Sequence, residues 1–190
     1  GKARGLAFAK NLISKIETGK KDKNTHIRIP RIAVIGTDEF DHFMKENDLN
    51  KIAFSKNKID KDIISKFLKG EISSKLKNTL SKFLDKMRSP LAIRSSSLLE
   101  DSQYQPLSGM YATYMLPNSN RSKIKRLKEL IKAIKLVYAS TYLKEPSSLI
   151  EKSVHRHEEE KMAVIIMELI GKKHQDRFYP SASGLAQSYN

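Results

Sequence analysis

The 190-residue sequence has no cysteine and no tryptophan. Without thiols there is no disulfide framework, no thiolate metal site and no cysteine nucleophile, and the composition fits a reducing compartment. A chain of this length needs no covalent staple, because roughly 70% of its unfolded surface can be buried in a core. Long apolar runs are also missing. Lysine or glutamate interrupts every candidate well short of the roughly 20 residues that a membrane-spanning helix requires. The opening Gly1-Lys2-Ala3-Arg4-Gly5 lacks both an initiator methionine and an apolar signal segment, so the chain is expected to be a piece of a longer one. No internal repeat and no long low-complexity stretch is present.

Negative charge is scarce as well: 36 basic residues face 21 acidic ones, for a net charge of +15. Such a surplus raises the question of nucleic acid or an anionic membrane. The basic residues are 27 lysines and nine arginines, spread over several predicted helices. Lysine is the poorer of the two at planar, bidentate anion recognition, and no arginine-aromatic interleaving accompanies it. A solvated lysine-rich surface is therefore favoured over a nucleic-acid groove.

What is present is periodicity. Leu6, Ala9, Leu12, Ile13 and Ile16 share one face of a helix predicted over 5–16, with Gly19 ending it and 20–24 as a basic linker. The run 32–35 reads as a buried strand, and Thr37 as the N-cap of a helix with Phe40, Phe43 and Met44 on one face. Further helices are predicted over 60–68 and 73–87, the second with Leu76, Leu80, Phe83, Leu84 and Met87 inward. Ser89-Pro90 ends it, and a strand over 91–94 delivers Arg94 and Ser95, Ser96 and Ser97 to its end. A loop through Glu100, Asp101 and Gln105 closes at Gly109, before a strand over 110–116. The clearest helix covers 123–142, with Ile124, Leu127, Leu130, Ile131, Ile134, Val137 and Tyr138 inward and Lys125, Lys128, Lys132 and Lys135 facing elsewhere. A shorter helix starts at Pro146. The strand 162–167 is expected to pair with 179–190 across a turn over 171–176. Several helices among few strands predict an α+β fold.

Three places offer chemistry. A glycine-flanked lysine opening a helix, Lys2, presents a cation and free N–H groups to phosphate, or is merely a flexible helix entrance; the P-loop spacing is absent. Arg94, beside three hydroxyls and the Glu100-Asp101 pair, suits phosphoryl oxygens, with the carboxylates orienting it or helping to hold magnesium; the alternative is a structural tie to Asp101. His155-x-His157 with Glu158, Glu159 and Glu160 has metal-ligand residue types but reads as a charged surface. His26, His42 and His174 stand alone, and no hydrolase triad is visible.

The opening 1–6, the block Pro90-Leu91-Ala92-Ile93-Arg94-Ser95-Ser96-Ser97-Leu98-Leu99-Glu100-Asp101-Ser102 and Ser108-Gly109-Met110-Tyr111 together resemble the N-terminal nucleotide-binding domain of phosphoenolpyruvate synthase and pyruvate phosphate dikinase. The segments 133–142, 159–171 and 178–190 continue the likeness over most of the chain. The resemblance implies an ATP-grasp-like fold with a mixed sheet and flanking helices, in possible lobes 1–116 and 117–190. It implies ATP and Mg2+ as cofactors, and phosphoryl transfer to a histidine on a separate domain and then to pyruvate.

By position, Lys2, Arg94 and Ser96 would contact the ATP phosphates, Glu100, Asp101 and Gly109 would support them, and Met167, Glu168 and Leu169 would border adenine. No catalytic residue and no metal ligand is carried over, since the family places its acidic and basic residues beyond Asn190, so this piece is expected to be inactive alone. Leu107-Ser108-Gly109 and Met167 depart from the family's usual residues. The resemblance further implies a cytoplasmic enzyme, a full-length homo-oligomer, pyruvate and phosphoenolpyruvate met through absent domains, and no membrane partner. A basic nucleic-acid-binding module and a related dikinase with another acceptor, such as a glucan or an antibiotic, are the alternative readings.

Overall fold

The computed structural model describes residues 2–17, 27–55, 59–97, 109–151 and 160–185. In chain order the elements are α1 (Lys2–Glu17), β1 (Ile32–Ile35), α2 (Thr37–Glu46), α3 (Asn50–Ala53), α4 (Asp60–Lys69), α5 (Ser74–Lys86), β2 (Leu91–Ser96), β3 (Thr113–Leu116), α6 (Lys123–Ser140), α7 (Lys144–Glu151), β4 (Ala163–Glu168), β5 (Lys172–His174) and β6 (Arg177–Tyr179). The fold is α+β, as the periodicities predict.

Period-two alternation explains how the sheet divides its residues. Its order is β1-β4-β2-β3. All three pairings are antiparallel, with Ile32 opposite Met167, Arg94 opposite Ile165 and Arg94 opposite Thr113. The expected mixed sheet is thus an antiparallel one. Ile35, Leu91, Ile93, Val164 and Ile166 point into the core, where they join Phe40, Phe43, Phe67, Leu84, Ile134 and Tyr138 of the helices. Ile165, Met167, Ala92 and Arg94 point to the other face. β4 lies between β1 and β2, so the sheet joins strands from both sides of residue 116.

The expected pairing of 179–190 with β4 is replaced by a separate hairpin, β5 with β6. β4 already has a partner on each edge, and neither edge is left for the chain that follows it. Gly171 sits at the hairpin base with its Cα so close to the Tyr179 backbone that a Cβ would lie 2.7 Å from the carbonyl. Residues 186–190 lie outside the described residues. At β1's end the N-cap is Gly36 rather than Thr37, and no side chain caps that helix. True caps stand at Ser73, which accepts from the Leu76 N–H at 3.0 Å, and at Ser122, which accepts from Lys125. α1 begins at Lys2, three residues before the predicted start, and exposes Leu12 rather than burying it. Gly19 and 20–24 lie outside the described residues.

Two basic residues of α6 break its amphipathic pattern. Lys135, expected outside, is buried. Arg126 is 1% exposed and donates from Nη1 to the carbonyls of Leu84 and Met87 and to Asn118 Oδ1, at 3.2–3.3 Å. Asn118 Nδ2 in turn donates to the Met87 and Ser89 carbonyls at 3.1 and 2.9 Å. Asn118 takes φ of 50°, a left-handed conformation that asparagine tolerates better than most residues. Carbonyls orphaned at the end of α5 are thereby satisfied by a cation, which the helix dipole favours there.

Arg126→Met keeps the aliphatic packing and strips these donors, so urea unfolding should show a loss of about 1–3 kcal/mol. Tyr138→Phe should move the other way or not at all, because the Tyr138 hydroxyl is buried without a partner among the described residues and its removal relieves that cost. A Tyr138→Phe variant markedly less stable than the parent would show that the hydroxyl has a partner in solution.

Candidate functional site

Arg94 comes from the middle strand pair, where β2 is held on both edges and the backbone cannot drift. Its neighbours Leu91, Ile93 and Ser95 are buried on the core side, which leaves the Arg94 side chain half-buried on the opposite face. Across the pairing, Ile165 and Met167 emerge on that same face. Helix α1 lies over them, and the Ala3 N–H donates to Ser96 Oγ at 3.4 Å. The buried serine that ends β2 therefore caps the first turn of a helix 93 residues earlier in the chain.

Between these parts runs a groove of about 370 Å³, lined by Lys2, Gly5, Leu6, Arg94, Ile165 and Met167. One end is cationic. Lys2 and Arg94 are joined there by the N-terminus of α1, whose first turn has no acidic residue and whose N–H groups carry the positive end of the helix dipole. Leu6, Ile165 and Met167 supply an apolar wall. A ligand with a polyanionic end and a flat apolar end matches both halves of this lining.

The structure thus brings Lys2, Arg94 and Ser96 together around α1, with Met167 beside them. It separates the other two members of the expected adenine side. Glu168 projects from the opposite face of β4, where Oε2 accepts from Arg31 Nε at 2.9 Å and Oε1 accepts from Arg31 Nη2 at 2.9 Å and from Ser89 Oγ at 2.7 Å. The Arg31 hydrogen bonds, helped by Ser89, outweigh burial and hold the Glu168 carboxyl down to about 2. The N–H groups of Glu168 and Leu169 are also engaged, donating to the Arg31 and Pro90 carbonyls at 2.9 Å. Gly109, with φ of +83°, occupies a conformation that favours glycine but does not line the groove. Glu100 and Asp101 lie outside the described residues.

Gly5, Leu6 and Ile165 line the groove without being among the site residues expected from sequence, although Gly5 and Leu6 belong to the opening 1–6 that carries the resemblance. Ile165 carried a usable signal, two positions before Met167 on a strand. Leu6 was assigned to a helix face without any hint of what that face covers.

For metal, no group of three or more His, Cys, Asp or Glu side chains is assembled among the described residues. Glu160 is buried and accepts from the Tyr111 hydroxyl at 2.8 Å, while His155, His157, Glu158 and Glu159 lie outside the described residues. The side chains described here do not fit magnesium as a set. No helix among them is long and apolar enough to cross a membrane.

The family model described as pyruvate phosphate dikinase, AMP/ATP-binding domain, matches residues 1–190. The chain is also 28% identical over 142 residues to an uncharacterized phosphotransferase, YvkC, of Bacillus subtilis (strain 168), an overlap of 75% of this chain and 16% of that protein.

Glu168→Gln should lower stability at neutral pH by about 1–3 kcal/mol, since it leaves Arg31 and Ser89 without their charged acceptor. The folded carboxyl titrates below its unfolded value of 4.5, so its contribution is complete above that pH and disappears as the pH falls through about 2. Unfolding curves of the two proteins should therefore converge between pH 4.5 and 2; a gap of constant size across that range would remove the ion pair as its source.

Proposed function

Because the chain belongs to the pyruvate phosphate dikinase AMP/ATP-binding domain family, we propose that the groove beneath α1 is its nucleotide site, with Lys2 and Arg94 on the ATP phosphates. The observation that carries this reading is the convergence of Lys2 and Arg94, distant in sequence, on one groove at a helix N-terminus. Ser96 acts one step back: through the Ala3 N–H it fixes the end of α1 and so the position of Lys2. Leu6, Ile165 and Met167 take the base or ribose side by contact with apolar surface.

In phosphoryl transfer the charge is spread over the phosphoryl oxygens, and the protein's part is positioning and cationic stabilisation rather than nucleophilic attack. Arg94 suits this because its guanidinium offers a fixed fork to two oxygens from a rigid strand. Lys2 supplies a point charge from a helix end. No step is routed through magnesium, and no residue described here is assigned as an acceptor. The acceptor of the whole protein is a histidine on another domain, followed by pyruvate. That part of the proposal rests on the family and on the phosphotransferase relative, of which this chain spans about one sixth. Every feature of the groove is equally compatible with a dikinase of the same type that has another final acceptor.

Calorimetric titration of Mg-ATP into the 190-residue chain at physiological salt should give saturable binding. Arg94→Ala should weaken it by about 1.5–3 kcal/mol, tenfold or more, through loss of a charge-assisted phosphate contact. Unchanged affinity would take Arg94 out of the site. A single-stranded DNA oligonucleotide titrated in parallel separates the classes: steep, salt-sensitive DNA binding with no ATP binding would replace a nucleotide site by a basic nucleic-acid surface.

A further inference from the structure

A second groove, of about 490 Å³, opens between α4, α5 and α6 and shares no lining residue with the first. Its floor follows one stripe of α6. Ile124, Leu127 and Ile131 recur at i, i+3 and i+7, and Lys135 closes the stripe one turn further on. In a helix inside a fold such a stripe is normally covered, yet Ile124 is 68% exposed, and Leu127 and Ile131 are only half-buried. Lys128 and Lys132 run alongside as an exposed cationic edge, with Lys77 of α5 across the groove. Four lysines line the groove against one carboxylate, Glu71. Lys135 is 8% exposed, and its Nζ donates to the Leu68 carbonyl at 3.2 Å.

We propose that this groove is a docking site for an acidic amphipathic helix. The stripe from Ile124 to Lys135 spans three helical turns, about 16 Å. A partner helix with apolar residues at i, i+3 and i+7 lays them against Ile124, Leu127 and Ile131, and carboxylates on its flank meet Lys128 and Lys132. The lining favours this occupant over nucleic acid because it contains neither arginine nor an aromatic ring, and a phosphate backbone would leave the isoleucine and leucine side chains wet. It favours it over a lipid surface because the apolar residues lie in a concave trough rather than on a convex face. Charge complementarity does the selecting: a basic amphipathic helix fits the floor but is repelled by the rim, and a neutral one gains nothing from it.

The probe is a labelled synthetic peptide of roughly 15 residues with leucine at i, i+3 and i+7 and glutamate on one flank, followed by fluorescence anisotropy against the 190-residue chain. Saturable binding is expected. The double variant Lys128→Glu/Lys132→Glu should weaken it by roughly tenfold or more, and a peptide carrying lysine in place of each glutamate should bind that variant better than the parent. Ile124→Asp should weaken both pairings. All three substituted positions are exposed, and circular dichroism and an unaltered Mg-ATP titration confirm that the fold is retained. Absence of binding, equal binding of a scrambled peptide of the same composition, or indifference to charge reversal would each overturn the proposal. So would full displacement of the peptide by a single-stranded DNA oligonucleotide or by phosphatidylserine vesicles with no reciprocal response to the charge swap.

Discussion

Arg126 is the hub on which the arrangement of this fold turns. Its guanidinium sits in the interior, held by two carbonyls from the end of α5 and by the side-chain oxygen of Asn118. Such a burial costs least where donors find acceptors and the local dipoles are favourable: Nη1 and Nη2 meet the carbonyl end of α5 and Asn118, while Nε is buried with no partner among the described residues. The consequence is geometric. α5 and α6 are locked end to side, and Asn118, by bonding Met87 and Ser89, sets where the chain leaves α5 and enters β2. The face from which Arg94 projects is decided at that entry.

β4 propagates the constraint. Paired on both edges, it turns Val164 and Ile166 toward the helices and Ile165 and Met167 toward α1. A one-residue slip would exchange the two sets and place Glu168 in the groove. The Arg31 and Ser89 contacts at Glu168 oppose that slip, because they satisfy the carboxylate only in the observed register. The groove beneath α1 thus inherits its precision from a polar clamp on the reverse side of the sheet.

The local part of this design was readable from the residues. The strand 32–35, the aromatic face of α2, the leucine face of α5 and the run of β2 into Arg94 all follow from short-range periodicity. What failed depended on contacts between distant segments. Both 162–167 and 179–190 suit a sheet and so read as partners, but periodicity says nothing about which edges are already taken. Arg126 and Lys135 were hidden for a different reason. A helical pattern assigns charge to solvent, and only the geometry shows carbonyls from α5 and α4 within reach of them. In the site, Arg94 and Ser96 were legible as a block of unusual composition, and the family resemblance paired them with Lys2. The different facing of Met167 and Glu168 was implicit in strand alternation, yet it needed the register to show which of the two meets the groove.

The central place of β4 also governs how the sheet is made during synthesis. β1 and β2 are not neighbours; each pairs with β4, which is the last of the four strands to leave the ribosome. At typical elongation rates of about 5–20 residues per second, β1 waits on the order of ten seconds for its partner. Over that interval its apolar residues and unpaired backbone are open to other chains. The helices α4, α5 and α6 also precede β4 in the chain, and α6 packs against β2 and β3 in the finished fold. Because Ile165 and Met167 of β4 form part of its wall, the groove has no complete lining until β4 has emerged.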